Sequence, residues 1–182
     1  MRIFFVTSNR GKYSEAAEKL QIRGMDLVQK NIGYPEIQAD TSEDVVKFGL
    51  QTIKLKSPFI IEDSGLFVKA LNDFPGVYSS FVYHTIGCDG ILKLMKGVKE
   101  REAMFVSVIG LKFKNKEKIF KGECSGKISE EILGKGGFGY DPLFIPEGEK
   151  KTFAEMSIEE KNRYSHRGKA VEKLAAYLTS SE

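Results

Sequence analysis

The sequence is short of several features, and each shortage excludes something. Only two cysteines occur, Cys88 and Cys124. They are too few for a disulfide framework and lack the neighbours that a zinc site needs. They read as reduced, partly buried thiols. No apolar run approaches the roughly 18 residues that span a bilayer, so no membrane partner is expected. The apolar start at residues 1–6 is too short for a secretory leader, and polar residues 7–12 follow at once. A cytoplasmic protein is the expectation. Charge of one sign is also scarce: the net charge is +3 and the pI near 8.7. That balance weakly favours anionic ligands and falls short of the clustered charge of a nucleic-acid binder. Basic residues sit among acids, as at residues 114–118, which reads as a solvated turn. Repeats, linkers and low-complexity tracts are absent from the sequence.

What is present is ordinary globular material. Hydrophobic residues make up 41% and charged residues 29% of 182, which excludes disorder. A chain of this size buries roughly 70% of its unfolded surface. It suits one domain, or one domain with two lobes. Residues 3–6 read as a buried strand, and Tyr13, Ala16, Ala17 and Leu20 mark a helix face after a polar loop. Residues 25–28 read as a short strand. Thr41 and Ser42 are N-cap candidates for a helix carrying Val45, Val46, Phe48, Leu50, Ile53 and Leu55, ended by Pro58. Residues 59–61 read as a strand that ends at Glu62 and Asp63. Residues 66–71 read as helix, Pro75 and Gly76 as a turn, and residues 77–86 and 91–95 as two helices. Residues 104–113 and 118–128 read as a hairpin turning at Asn115, and 143–145 as a strand ended by Pro146. Ser157 with Glu160 fits a capping box, and Ser165 is placed to cap a last helix with Ala170, Leu174 and Leu178 on its apolar face. The pattern implies an α/β fold with a mixed sheet.

Four segments carry residues suited to chemistry. Thr7-Ser8-Asn9-Arg10-Gly11-Lys12 links a strand to a helix, with hydroxyls, backbone N–H groups and two cations. It reads either as a phosphate site or as an ordinary capped turn. It is not a Walker A loop, since the glycines of that pattern are missing. Glu62 and Asp63, followed by Ser64 and Gly65, resemble acids facing a ligand crevice. Hard Mg2+ takes one or two such carboxylates and shares phosphate oxygens. Glu36, after Pro35, is a further ligand candidate or a surface acid. Gly136-Gly137-Phe138-Gly139-Tyr140-Asp141 sets two aromatics among glycines. Such a loop either stacks on a flat ring or makes a glycine-rich turn with core aromatics. Its position and spacing differ from a dinucleotide fingerprint. His166 and Arg167 open the last helix and are hydrogen-bond donors or structural residues. Lys161 alone, on a lysine-rich surface, carries no signal.

The order of these segments resembles the inosine triphosphate pyrophosphatase family, also called XTP/dITP diphosphatases, and its archaeal members most closely. The matching residues are segment 7–12, Tyr34-Pro35-Glu36, Glu62-Asp63-Ser64-Gly65-Leu66 and Phe74-Pro75-Gly76-Val77-Tyr78-Ser79. They continue through Gly137-Phe138-Gly139-Tyr140-Asp141-Pro142, Phe153-Ala154-Glu155-Met156, Glu160-Lys161-Asn162 and Ser165-His166-Arg167. The resemblance covers nearly the whole chain. It implies a single two-lobed domain over residues 1–182, with a long twisted mixed β-sheet, helices on two lobes and an active-site cleft between them. It also implies a homodimer that cuts ITP, dITP and XTP to the monophosphate and pyrophosphate, cleansing the nucleotide pool. By position, Thr7, Ser8, Asn9, Arg10, Gly11 and Lys12 would hold the triphosphate. Glu36 and Asp63 would bind magnesium, with Asp63 also the general base. Ser64 would touch the nucleotide. Phe138, within the loop shared by Gly139 and Tyr140, would stack on the base. Asp141, His166 and Arg167 would line the polar edge of the base, and Lys161 would contact substrate. Many members carry a basic residue after the Pro-Gly-x-Tyr-Ser segment, where this chain has Ser80; Arg10 is the candidate replacement. Two rival readings are a Maf-type pyrophosphatase for pyrimidine or modified nucleotides, and a nucleotide or nucleic-acid binding module without turnover. The carboxylates at 36 and 63 oppose the second, since they repel phosphate unless a cation intervenes.

Overall fold

A computed structural model describes residues 1–21, 23–35, 37–114 and 116–180. Glu36 and the hairpin residue Asn115 lie outside the described residues. Strand β1 (Arg2–Val6), helix α1 (Arg10–Gln21) and strand β2 (Asp26–Lys30) form a unit in which β1 and β2 pair in parallel. Helix α2 (Ser42–Thr52) follows, capped by Thr41, whose hydroxyl accepts the Asp44 N–H at 3.2 Å. Strand β3 (Phe59–Val68) pairs with strand β5 (Glu102–Phe113) along its whole length. The hairpin expected next is β5 with β6 (Lys116–Ile128), and β7 (Phe144–Pro146) closes that edge. The sheet has seven strands in the order β2-β1-β3-β5-β6-β7, with β4 (Phe74–Gly76) also pairing β3. It mixes parallel and antiparallel neighbours, as the sequence implied.

Three local expectations fail. Residues 66–71 do not form a helix: Leu66, Phe67 and Val68 continue β3, and only Lys69–Leu71 makes a turn of 3₁₀ helix. The apolar run is held extended because β5 pairs one edge and β4 the other. A short apolar run cannot separate the two forms by periodicity. For the same reason Pro75 and Gly76 belong to β4 rather than to a turn. Glu62 and Asp63 therefore sit within β3, not at its end.

Strand alternation sorts the core onto the two faces of the sheet. Ile3, Phe5, Ile60 and Ile109 pack under α1 and the last helix, α6 (His166–Ser180). Phe59, Ile61, Val106 and Val108 pack under Val46 and Leu50 of α2. A third cluster joins Leu66, Val68 and Phe105 to Val82 of α3 (Ser79–Thr85), Ile91 of α4 (Gly87–Leu94), and Phe144 and Phe153. Each fully buried side chain of this kind contributes about 1.5–3 kcal/mol.

Helix α6 lies so close to β6 that only glycine fits at residue 122. An added Cβ would sit 2.0 Å from the His166 carbonyl oxygen and 2.6 Å from the Ala170 nitrogen. Both are backbone atoms with nowhere to go. Gly122→Ala should cost about 1–3 kcal/mol by overpacking. It should also lower activity below the melting transition, because the first turn of α6 carries His166 and Arg167. Thermal unfolding and residual turnover of the variant check this; an unchanged melting temperature would refute the close approach.

Candidate active site

The cleft arises from a mismatch in strand length. Strand β1 stops at Val6, and its last partner on β3 is Ile60. The next partner on that edge is Leu66, paired with Gly76 of β4. Residues 61–65 thus face a gap, and a cleft of about 780 Å³ opens there.

The 7–12 loop forms one wall. Asn9 Oδ1 accepts the Lys12 N–H at 3.0 Å, and the Asn9 N–H donates to Thr7 Oγ1 at 3.1 Å. This caps α1 and points its N-terminal end at the cleft, an arrangement suited to phosphate. Thr7, Ser8, Asn9 and Lys12 line the cleft; Arg10 and Gly11 are not among its lining residues. Gly11 has another use: a Cβ there would fall 2.3 Å from the Phe138 ring, so the ring rests on its bare backbone.

Glu62 and Asp63 point to opposite faces, by the alternation of β3. Glu62 turns inward, with its side chain fully buried. It receives Ser107 Oγ at 2.7 Å, Lys12 Nζ at 3.0 Å and Arg167 Nη2 at 3.0 Å. Burial pushes its carboxyl up, but Arg167 and Lys12 outweigh this and hold it at about 2. Asp63 lines the cleft and is half-buried.

The other end of the cleft is a polar socket under an aromatic. Helix α5 (Ile158–Tyr164) starts in the expected capping box and meets α6 at Ser165, whose Oγ accepts the Gly168 N–H at 2.9 Å. This short junction sets Lys161 and Arg167 side by side. Lys161 Nζ donates to Asp141 Oδ2 and Glu15 Oε1, each at 2.6 Å. Arg167 Nη1 donates to Glu15 Oε2 at 2.5 Å, and its Nη2 reaches Ser64 Oγ at 3.2 Å. Lys161 and Arg167 lie over the Phe138 ring at 5.0 and 5.4 Å from its centroid. Asp141 Oδ2 also accepts the Phe138 N–H at 2.9 Å, while Gly137 and Gly139 supply positive φ values of 67° and 59°. Tyr140 is buried and donates to the Ser79 carbonyl at 3.2 Å.

His166 is buried and stacked on Phe105, with ring centroids 4.6 Å apart. Burial first, then Arg167 and Lys161, hold its pKa well below the ordinary value. The imidazole is therefore neutral. It offers one N–H donor and one acceptor to a ligand, and its buried Nδ1 has no hydrogen-bond partner among the described residues.

The charged groups form one alternating chain: Asp141, Lys161, Glu15, Arg167, Glu62, Lys12. Its centre, Glu15, was missed by sequence reasoning. Two signals were available. Glu15 lies three residues after Lys12, on the same side of α1, and it adjoins Ala16 on the apolar face. The structure leaves Glu15 only 4% exposed. Burial raises its carboxyl, but Arg167 and Lys161 outweigh burial and hold it below the ordinary 4.5. Asp141 runs the other way: burial raises it, and Lys161 recovers only part.

The sequence profile of the Ham1 family matches residues 3–177. A protein named dITP/XTP pyrophosphatase from Pyrococcus horikoshii is 57% identical over 180 residues, covering 98% of this chain and 97% of that protein. Its namesake from Thermococcus kodakarensis is 52% identical over 180 residues, with 98% and 97% covered. Among solved structures, a HAM1 protein from Coxiella burnetii superposes with a TM-score of 0.83 at 30% identity, covering 99% of both chains.

Proposed function

The chain belongs to the Ham1 family, and on that premise we propose that it hydrolyses 6-oxo purine nucleoside triphosphates, ITP, dITP and XTP, to the monophosphate and pyrophosphate. One observation carries the reading: a single cleft joins a phosphate-type loop at the start of α1 to a buried polar socket beneath an aromatic ring. A triphosphate lies along the first and a base against the second.

Pyrophosphate leaves intact, so water attacks the α-phosphorus. We place Asp63 beside that water, as the group that takes its proton or holds the cation that acidifies it. The residues fit Mg2+. Glu62 is engaged by Lys12, Arg167 and Ser107, and Asp63, with Glu36, would supply the oxygen donors. Among the described residues no group of three or more His, Cys, Asp or Glu forms a metal cage. Mg2+ is commonly held by one or two carboxylates together with the substrate's phosphates. When bound, such an ion neutralises the departing pyrophosphate and lowers the pKa of water. Lys12, held by Glu62 at the mouth of α1, adds positive charge on the same side.

Base choice follows from hydrogen-bond polarity. Hypoxanthine and xanthine present a carbonyl at position 6 and an N–H at position 1; adenine inverts both. Neutral His166 supplies a donor, and the carboxylate of Asp141 an acceptor. A mismatched base leaves buried polar groups unpaired, which supplies discrimination of about 10⁴. Arg167 spends its donors on Glu15, Glu62 and Ser64, so its part is to hold the socket. The homodimer, the single two-lobed domain and the cytoplasmic location belong to the same proposal. Exposed apolar side chains such as Phe81, at 70%, support the dimer. Among the described residues no helix is long and apolar enough to cross a membrane.

The test is incubation with magnesium and equal amounts of ITP, XTP, GTP, ATP and dTTP, with the phosphorus products read by NMR. Monophosphate and pyrophosphate should come from ITP and XTP, with little from ATP. Diphosphate with free phosphate would place the cut at the wrong bond. Preference for dTTP would move the enzyme to pyrimidines. Nucleotide binding without hydrolysis would leave a binding module.

A further inference from the structure

Four described residues that line the cleft can carry positive charge: Lys12, His84, His166 and Arg167. Lys12 is paired with Glu62, and Arg167 with Glu15 and Glu62. His166 is buried and neutral. That leaves His84, on the last turn of α3. Its imidazole is exposed, and its Nδ1 lies 2.7 Å from the Ser80 carbonyl oxygen one turn earlier. A carbonyl only accepts, so Nδ1 carries the proton in that bond. The nitrogen left for a ligand is Nε2, which becomes a donor when the ring is protonated. The Tyr83 ring meets the imidazole edge-on at 5.6 Å and limits its rotation.

We infer that His84 is a polyphosphate-binding residue, with Nε2 contacting a phosphate oxygen of the substrate or of the leaving pyrophosphate. This rests on the nucleotide reading above and goes beyond it. It also answers where charge comes from beside Ser80, since Arg10 does not line the cleft. An imidazolium donor to a phosphate oxygen makes a charge-assisted hydrogen bond.

The probe is inorganic pyrophosphate without metal, titrated calorimetrically into wild type, His84→Gln and His84→Lys at pH 6 and pH 8. His84 is exposed, so these variants should fold. Pyrophosphate itself gains protons at pH 6, and the His84→Gln curve removes that background. Relative to His84→Gln, wild type should bind roughly three- to tenfold more tightly at pH 6. His84→Lys should keep the advantage at both pH values. In turnover, His84→Gln should raise KM for ITP several-fold with little change in kcat. Equal pyrophosphate affinity in wild type and His84→Gln at both pH values would overturn the assignment. Wild type that binds pyrophosphate more tightly than His84→Gln but hydrolyses no nucleotide supports His84 and removes the proposed function, so the two failures are distinguishable.

Discussion

Glu15→Gln should lower the melting temperature by on the order of 10 °C. The change is nearly isosteric, so packing barely alters. What changes is charge. Lys161 and Arg167, 3% and 2% exposed, lose the anion between them. Removing one partner of a buried ionic network costs about 3–5 kcal/mol, because the remaining charges stay buried and unbalanced. For a chain of this length, each kcal/mol moves the melting temperature by about 2–4 °C. The amide also points a donor at one of two cations that only donate. The pH dependence has a definite sign. Glu15 is held below 4.5 in the folded protein and Glu62 at about 2. Their stabilisation is present above the unfolded value, near 4.5, and is lost as pH falls toward 2. Asp141, raised by burial, contributes with the opposite sign. Acid melts of wild type should therefore fall more steeply below pH 4.5 than those of Glu15→Gln. A variant that melts within a degree or two of wild type, with the same acid limb, would show that the chain of charges holds nothing together.

The sequence disclosed what is local. The N-caps of α2 and α5 and the hairpin β5–β6 follow from residues within a few positions of one another, and they stand where the patterns put them; the far end of α2 does not, since the helix stops at Thr52 and leaves Ile53 and Leu55 beyond it. Residues 66–68 did not, because their conformation is set by β4 and β5, not by their own period. The site divides in the same way. The 7–12 loop and the 136–141 loop were legible as segments, since their glycines and hydroxyls have local reasons. The pairing of Glu15 with Arg167 spans 152 residues and appears only when α1 and α6 pack on one face of the sheet. Lys161, which meant nothing on a lysine-rich surface, is among the most buried charges in the molecule. His84 gave no signal because its neighbours in the cleft come from β1, β3 and the 136–141 loop.

Asp63→Asn should abolish turnover far more than binding, and its contrast with Glu62→Gln is the sharper test. The two carboxylates are adjacent in sequence, and alternation sends them to opposite faces of β3. Glu62 is fully buried and fixes Lys12 and Arg167. Its amide variant should melt earlier and raise KM, because both cations lose their anchor. Asp63 stands half-buried in the cleft. The amide keeps its shape and removes its charge. A base that takes a proton from water contributes about 10²–10⁴ in rate, and loss of a cation ligand adds to this. We therefore expect kcat for ITP to fall by at least about a hundredfold, with the ITP dissociation constant changed less than about tenfold and the melting temperature nearly constant. Equilibrium binding and single-turnover rates measure the two halves separately. Near-normal turnover in Asp63→Asn would sink its assignment. Loss of turnover in Glu62→Gln at unchanged stability would move the chemistry to the neighbouring residue and to the other face of the strand.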